Sequence, residues 1–154
     1  MTVSTATRRP VSAVVVLLLA GLISVGLTHA APASATVPLT LTFEKAAVGP
    51  GMWEGTVSGD IDGDLTTVLT GCTGPTPCSG TIWHVEFDWI ITAGAESFTA
   101  HLTGVLNTST GAVVMNGTVV AGFLQGAQVH EEGQLVNAAT LAFEGTIRLM
   151  PSTA

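Results

Sequence analysis

The stretch Thr81 to Thr92, T-I-W-H-V-E-F-D-W-I-I-T, carries the densest set of side chains able to do chemistry. Successive side chains of a strand point to opposite faces. His84, Glu86 and Asp88 therefore share one face, and Trp83, Val85, Phe87, Trp89 and Ile91 share the other. If the following strand returns with Trp89 opposite Phe98 and Phe87 opposite Ala100, then Glu86 faces His101, Asp88 faces Thr99 and His84 faces Thr103, with a loop over 92–95. Two imidazoles and two carboxylates on one patch could hold a divalent cation or form an acid–base pair. On a solvated outer face the same residues form only a cross-strand His–Glu pair, contributing at most ~1 kcal/mol. Nothing in the spacing argues for a pocket there, so the plainer arrangement is expected and no metal site or cofactor is assigned.

Glu131 is the second candidate and the one expected catalytic residue. It lies in V-H-E-E-G, residues 129–133. With Val129 and Leu135 facing inward, parity turns Glu131 inward as well. A carboxyl in an apolar interior has a raised pKa, which suits a general acid or a ligand-orienting group. A bulge at Gly126 or Gly133 would instead turn Glu131 outward and bring His130 and Glu132 in. A place near a wet rim is the third arrangement. The run Asp60-Ile61-Asp62-Gly63-Asp64 resembles a calcium loop only superficially, since Gly71 stands where the closing glutamate is due. No G-x-S-x-G, H-E-x-x-H or phosphate-binding loop is present.

The elements that must position these residues are strands. Beyond residue 37 the apolar residues alternate and the turns are rich in glycine, asparagine and aspartate. Leu39, Leu41 and Phe43 mark a first strand, and Trp53 to Ile61 a second. Asp62-Gly63 reads as a two-residue hairpin turn leading to a third strand over 64–70. The central stretch is the fourth. Residues 97–107, 112–121, 127–135 and 141–149 supply four more. Such a meander removes its two free edges by closing. A recurring x-G-T-[V/I] echo at Gly55, Gly80, Gly117 and Gly145 fits repeated hairpins, and the glycines on the apolar faces suit tightly coiled strands. The expected fold is all-β, a single antiparallel eight-stranded meander barrel over 36–154. An open two-sheet sandwich is the alternative. Trp83, Phe87, Trp89, Phe98 and Phe143 are then the inward aromatics and the candidate ligand-binding residues.

Two segments, Asn116-Gly-Thr-Val-Val-Ala-Gly-Phe-Leu-Gln-Gly-Ala127 and Phe143-Glu-Gly-Thr-Ile-Arg-Leu149, resemble the late strand, glycine break and closing strand of the allene oxide cyclase barrel group, which includes the plant dirigent proteins. The resemblance is architectural and covers roughly the C-terminal third. It implies an eight-stranded barrel whose open end can hold an apolar small molecule, and often a trimer. No catalytic residue of that group maps onto this chain one by one. The silhouette is also lipocalin-like, without a lipocalin signature motif.

The N-terminal region sets an address. Arg8 and Arg9 precede an almost wholly apolar run from Val11 to Leu27, then Ala33-Ser34-Ala35. This is the order of a secretory signal peptide over 1–35. A membrane anchor is the alternative, since the run approaches spanning length. Pro10 and Ser12 fit a twin-arginine signal poorly, so the general secretory route is expected, with no stable membrane span after cleavage. The mature chain then keeps eleven carboxylates against Lys45 and Arg148, a formal charge of 2 − 11 = −9. Nucleic-acid binding needs clustered basic residues and is excluded on that balance. Cys72 and Cys78, in C-T-G-P-T-P-C, read as a disulfide closing a short loop in an exported protein. The functional expectation is a secreted, non-catalytic barrel that binds an apolar small molecule or a protein partner. An isomerase or cyclase of the allene oxide cyclase type is the alternative.

Overall fold

Each predicted strand segment pairs with its sequence neighbour in the computed structural model, which describes residues 37–73 and 78–152. The strands are β1 (Leu39–Gly49), β2 (Met52–Gly59), β3 (Gly63–Thr73), β4 (Ile82–Thr92), β5 (Phe98–Asn107), β6 (Ala112–Gly122), β7 (Gln128–Asn137) and β8 (Ala142–Met150). They form a closed antiparallel barrel in sequence order, with β1 pairing to β8 as well as to β2. The sandwich alternative is thereby set aside. A single 3-10 turn, Gly94–Glu96, is the only helical element among the described residues. No helix there is long and apolar enough to cross a membrane. The signal-peptide segment and its cleavage site lie outside the described residues.

The barrel has two unlike ends. At one, Ile61 from the β2–β3 connection and Leu124 from the β6–β7 connection fold inward and are buried with Ile91, Phe98, Ala127 and Leu149. At the other, the β1–β2, β3–β4, β5–β6 and β7–β8 connections surround an opening. The Cys72–Cys78 disulfide, with a Cα–Cα distance of 5.6 Å, ties the β3–β4 connection at this open end.

Two local expectations are corrected. Asp62-Gly63 is not a two-residue turn, because the last β2–β3 pair is Val57 with Gly63. The connection is longer because its carboxylates serve the backbone. Gly59 N donates to Asp62 Oδ1 at 3.2 Å and Thr40 N donates to Asp60 Oδ2 at 2.7 Å, while Ile61 between them plugs the barrel. Asp60 and Asp62 of the acidic run thus hold backbone N–H groups.

The second correction is the β4–β5 register. Ile91 pairs with Phe98, Trp89 with Ala100, Asp88 with His101 and Glu86 with Thr103. The pairing is displaced by two residues from the expected one. The turn is wider because Ser97 Oγ accepts from Ala93 N at 2.9 Å and donates to Gly94 O at 2.8 Å, closing the 3-10 turn. A displacement of two preserves which residues face inward, so the apolar faces still meet.

Candidate functional site

Strand β1 brings the interior chemistry into being. Leu41 and Phe43 point inward, and the same parity carries Lys45 inward two residues later. Lys45 is 7% exposed and Glu131, on β7, is 0% exposed. Glu131 therefore lies inside, as its parity with Val129 and Leu135 requires, and neither outward nor at a wet rim. The β7–β8 register shift falls at Leu135/Asn137, beyond the candidate, so no bulge reverses the alternation through residue 131.

The two groups meet inside the barrel from β1 and β7, the two strands that flank β8. Lys45 Nζ stands 3.7 Å from Glu131 Oε1. The ammonium also sits 3.8 Å from the centroid of Trp89, 5.1 Å from that of Phe43 and 5.6 Å from that of Phe87. These separations lie within the range of cation–π attraction. The cage is itself packed edge-on, with Phe43 against Trp89 at 5.0 Å and Trp53 against Phe87 at 5.5 Å. Room for the Phe43 ring comes from Gly133 and Gly145, where an added Cβ would stand 3.0 Å from Phe43 Cζ and 2.8 Å from Phe43 Cε1 respectively. The glycines on these inward faces are thus vacancies that a ring fills.

Burial dominates the electrostatics. Desolvation pushes the Glu131 pKa up from 4.5 to about 7, although the charge of Lys45 pulls it back. Desolvation likewise pushes Lys45 down from 10.5 to about 8, against the opposing pull of Glu131. Neither carboxylate oxygen of Glu131 has a hydrogen-bond partner among the described residues, and the same holds for Trp89 Nε1 and Thr67 Oγ1.

Above Lys45, toward the open end, lies a cavity of about 330 Å³. Its wall includes Trp53, Trp83, Phe87, Met115, Leu135 and Phe143, and Lys45 is its one ionisable residue. Trp53 and Trp83 are oriented by hydrogen bonds from their indole N–H groups to Leu141 O and Gly80 O, both at 3.0 Å. Of the five candidate binding aromatics, Trp83, Phe87 and Phe143 line this cavity. Trp89 and Phe98 are buried below it in the packed core at 1% and 4% exposure. Glu131 is not part of the wall; it touches the cavity's chemistry through Lys45.

The ionisable patch on β4 faces outward. His101 Nδ1 and Asp88 Oδ1 are 2.8 Å apart, with both side chains more than 40% exposed. Glu86 stands opposite Thr103 and His84 opposite Val105. The outer-face pair is therefore His–Asp rather than His–Glu, and no three metal-ligating side chains converge among the described residues.

Lys45 and Trp53 are the site residues that the sequence reasoning did not single out. For Lys45 the signal was present: continuing the alternation of Leu39, Leu41 and Phe43 by one step places it inside. Ending the first strand at Phe43 hid it. Comparison of the chain with protein-family models, curated proteins and solved structures found no match.

Proposed function

We propose that this chain is an exported binding barrel whose open end holds an apolar small molecule. The observation that carries the reading is the cavity of about 330 Å³ with a wall of aromatic and aliphatic side chains and one ionisable residue, Lys45. Its size falls within the usual range for small-molecule pockets, which are mostly apolar with a few placed polar groups. Export is supported by the N-terminal segment and by the Cys72–Cys78 disulfide, since such bonds persist in oxidising compartments. The likeness to the allene oxide cyclase barrel group is part of the same proposal. It rests on architecture, and it extends to the oligomer only as an expectation.

The second reading, a cyclase or isomerase acting inside the barrel, has one observation in its favour. Glu131 is a fully buried carboxyl with no hydrogen-bond partner among the described residues. Against it, Lys45 lines the cavity and Glu131 does not. Binding without turnover is therefore the reading preferred. The test is native mass spectrometry of the protein recovered from its own source, joined to titration with the apolar fluorophore N-phenyl-1-naphthylamine. A co-purified small molecule, or saturable quenching of tryptophan emission by the probe, is the expected result. Absence of both would remove the binding reading, and chemical conversion of a co-purified molecule would favour the cyclase.

A further inference from the structure

We propose that Lys45 is a covalent attachment point, its amine forming a reversible Schiff base with an apolar aldehyde held in the cavity, and Glu131 serving as proton donor and counter-ion. The inference rests on the reading of the cavity as a small-molecule site and names the class of molecule.

Three observations converge on the amine. Lys45 is the single lysine of the chain, and it stands in the wall of a cavity otherwise free of ionisable groups. A lysine desolvated among apolar side chains is biased toward its nucleophilic neutral form. Its separation of 3.7 Å from Glu131 exceeds hydrogen-bond length, so the amine is neighboured by the acid without being locked to it. The Trp89, Phe43 and Phe87 rings around Nζ stabilise a cation there, whether it is an ammonium or an iminium.

The proton balance closes within the pair. Carrying one proton between them, Lys45 and Glu131 are equivalent to a neutral amine beside a carboxylic acid. The amine nitrogen adds to the carbonyl carbon, forming the C–N bond and a carbinolamine. Glu131 gives its proton to the departing oxygen, the C–O bond breaks, and water leaves. The products are a protonated imine on Lys45, a Glu131 carboxylate and one water, with no oxidant or reductant consumed. A bound carboxylate is the less suitable occupant. It would set two carboxylates against one ammonium in an apolar interior, where uncompensated charge is costly. An aldehyde brings no charge.

The decisive measurement is reductive trapping of the purified protein with 6-methoxy-2-naphthaldehyde and cyanoborohydride. The matching naphthalenemethanol and naphthoate are titrated in parallel by tryptophan quenching. Because Lys45 is the only lysine, cleavage after Glu44 and Glu54 isolates any adduct on residues 45–54 from one on the α-amino group. The expected result is an arylmethyl adduct on that peptide, favoured over the α-amino group by ~10-fold or more through pre-positioning. That preference should disappear in denaturant. Lys45→Arg should give no adduct on residues 45–54 and leave only that on the α-amino group, and the wild-type peptide map stands by itself if that variant does not fold. Quenching by the aldehyde with no preferential adduct at Lys45 would overturn the proposal and leave the cavity reading intact. Quenching by the naphthoate at concentrations ~10-fold below those of the aldehyde would overturn it in favour of an anion site. No quenching and no adduct with any of the three probes would remove both readings.

Discussion

The buried Lys45–Glu131 pair makes a defined prediction about stability against pH. The perturbation is the set Lys45→Met, Glu131→Gln and the double variant. For Glu131 the shift from 4.5 to about 7 is 2.5 units, or ~3 kcal/mol. Its folded pKa is raised, so between those values the folded state binds more protons than the unfolded, and stability falls as pH rises. For Lys45 the shift from 10.5 to about 8 is also 2.5 units, or ~3 kcal/mol. Its folded pKa is lowered, so between pH 8 and 10.5 the unfolded state binds more protons and stability rises with pH. Urea unfolding followed by tryptophan emission gives the free energies. Subtracting the double variant from the wild type removes the titration of surface carboxylates. The difference should fall by ~3 kcal/mol toward pH 7, stay level to pH 8, and recover by a similar amount toward pH 10.5. Lys45→Met, leaving Glu131 without its counter-charge, should go on losing stability beyond pH 7. Glu131→Gln should begin its recovery below pH 8. A difference curve that is flat to within ~1 kcal/mol, or that peaks between pH 7 and 8, would refute the reasoning.

Other expectations test the frame around the pair. Gly55→Val should cost ~3 kcal/mol or prevent folding, because a Cβ there runs into the Glu44 carbonyl oxygen and the Lys45 Cα; thermal denaturation reads it. Reducing the Cys72–Cys78 bridge should cost ~2 kcal/mol by releasing a loop of short sequence separation, measured as a shift in the urea midpoint. A shift of zero would remove the stabilising role assigned to the bridge. Asp88→Asn should change stability by no more than ~1 kcal/mol and leave probe binding unaltered, since its partner His101 lies on the outer face. A large loss of binding on that substitution would place chemistry outside the barrel.

How far the sequence could be read follows from what each pattern encodes. Alternation encodes facing, and it placed Glu131 inside and His84, Glu86 and Asp88 outside, as observed. It does not encode register, because a displacement of two residues leaves every face unchanged. The β4–β5 offset therefore had to come from Ser97 closing the turn, a side-chain detail with no periodic signature. Turn chemistry misled at Asp62-Gly63 because Asp62 accepts from the Gly59 N–H three residues back, and Asp60 from the distant Thr40 N–H, which closes a longer connection than two residues. The cavity was legible in outline, as an apolar inner face. Which aromatics line it and which are buried beneath it depends on depth along the barrel axis. Depth is set by register and by which connections fold inward, here those carrying Ile61 and Leu124.

Lys45 marks where stability and sequence pattern part company. A barrel interior filled by Leu41, Phe43, Leu102, Met115 and Ile147 has no structural need of an ammonium. Replacing a buried ion pair by apolar side chains of similar volume is often neutral or stabilising. The pair is moreover poorly satisfied: it is separated by 3.7 Å, and both Glu131 oxygens lack hydrogen bonds among the described residues. A pair kept for fold alone would be expected at shorter range with its lone pairs occupied. The one lysine of the chain instead stands in the wall of an apolar cavity, beside three aromatic rings and 3.7 Å from a buried carboxyl. Perturbed titratable groups in such clefts are the usual mark of a working site. On the proposed reading the working atom is accordingly Lys45 Nζ, its pKa lowered by burial and partly restored by Glu131.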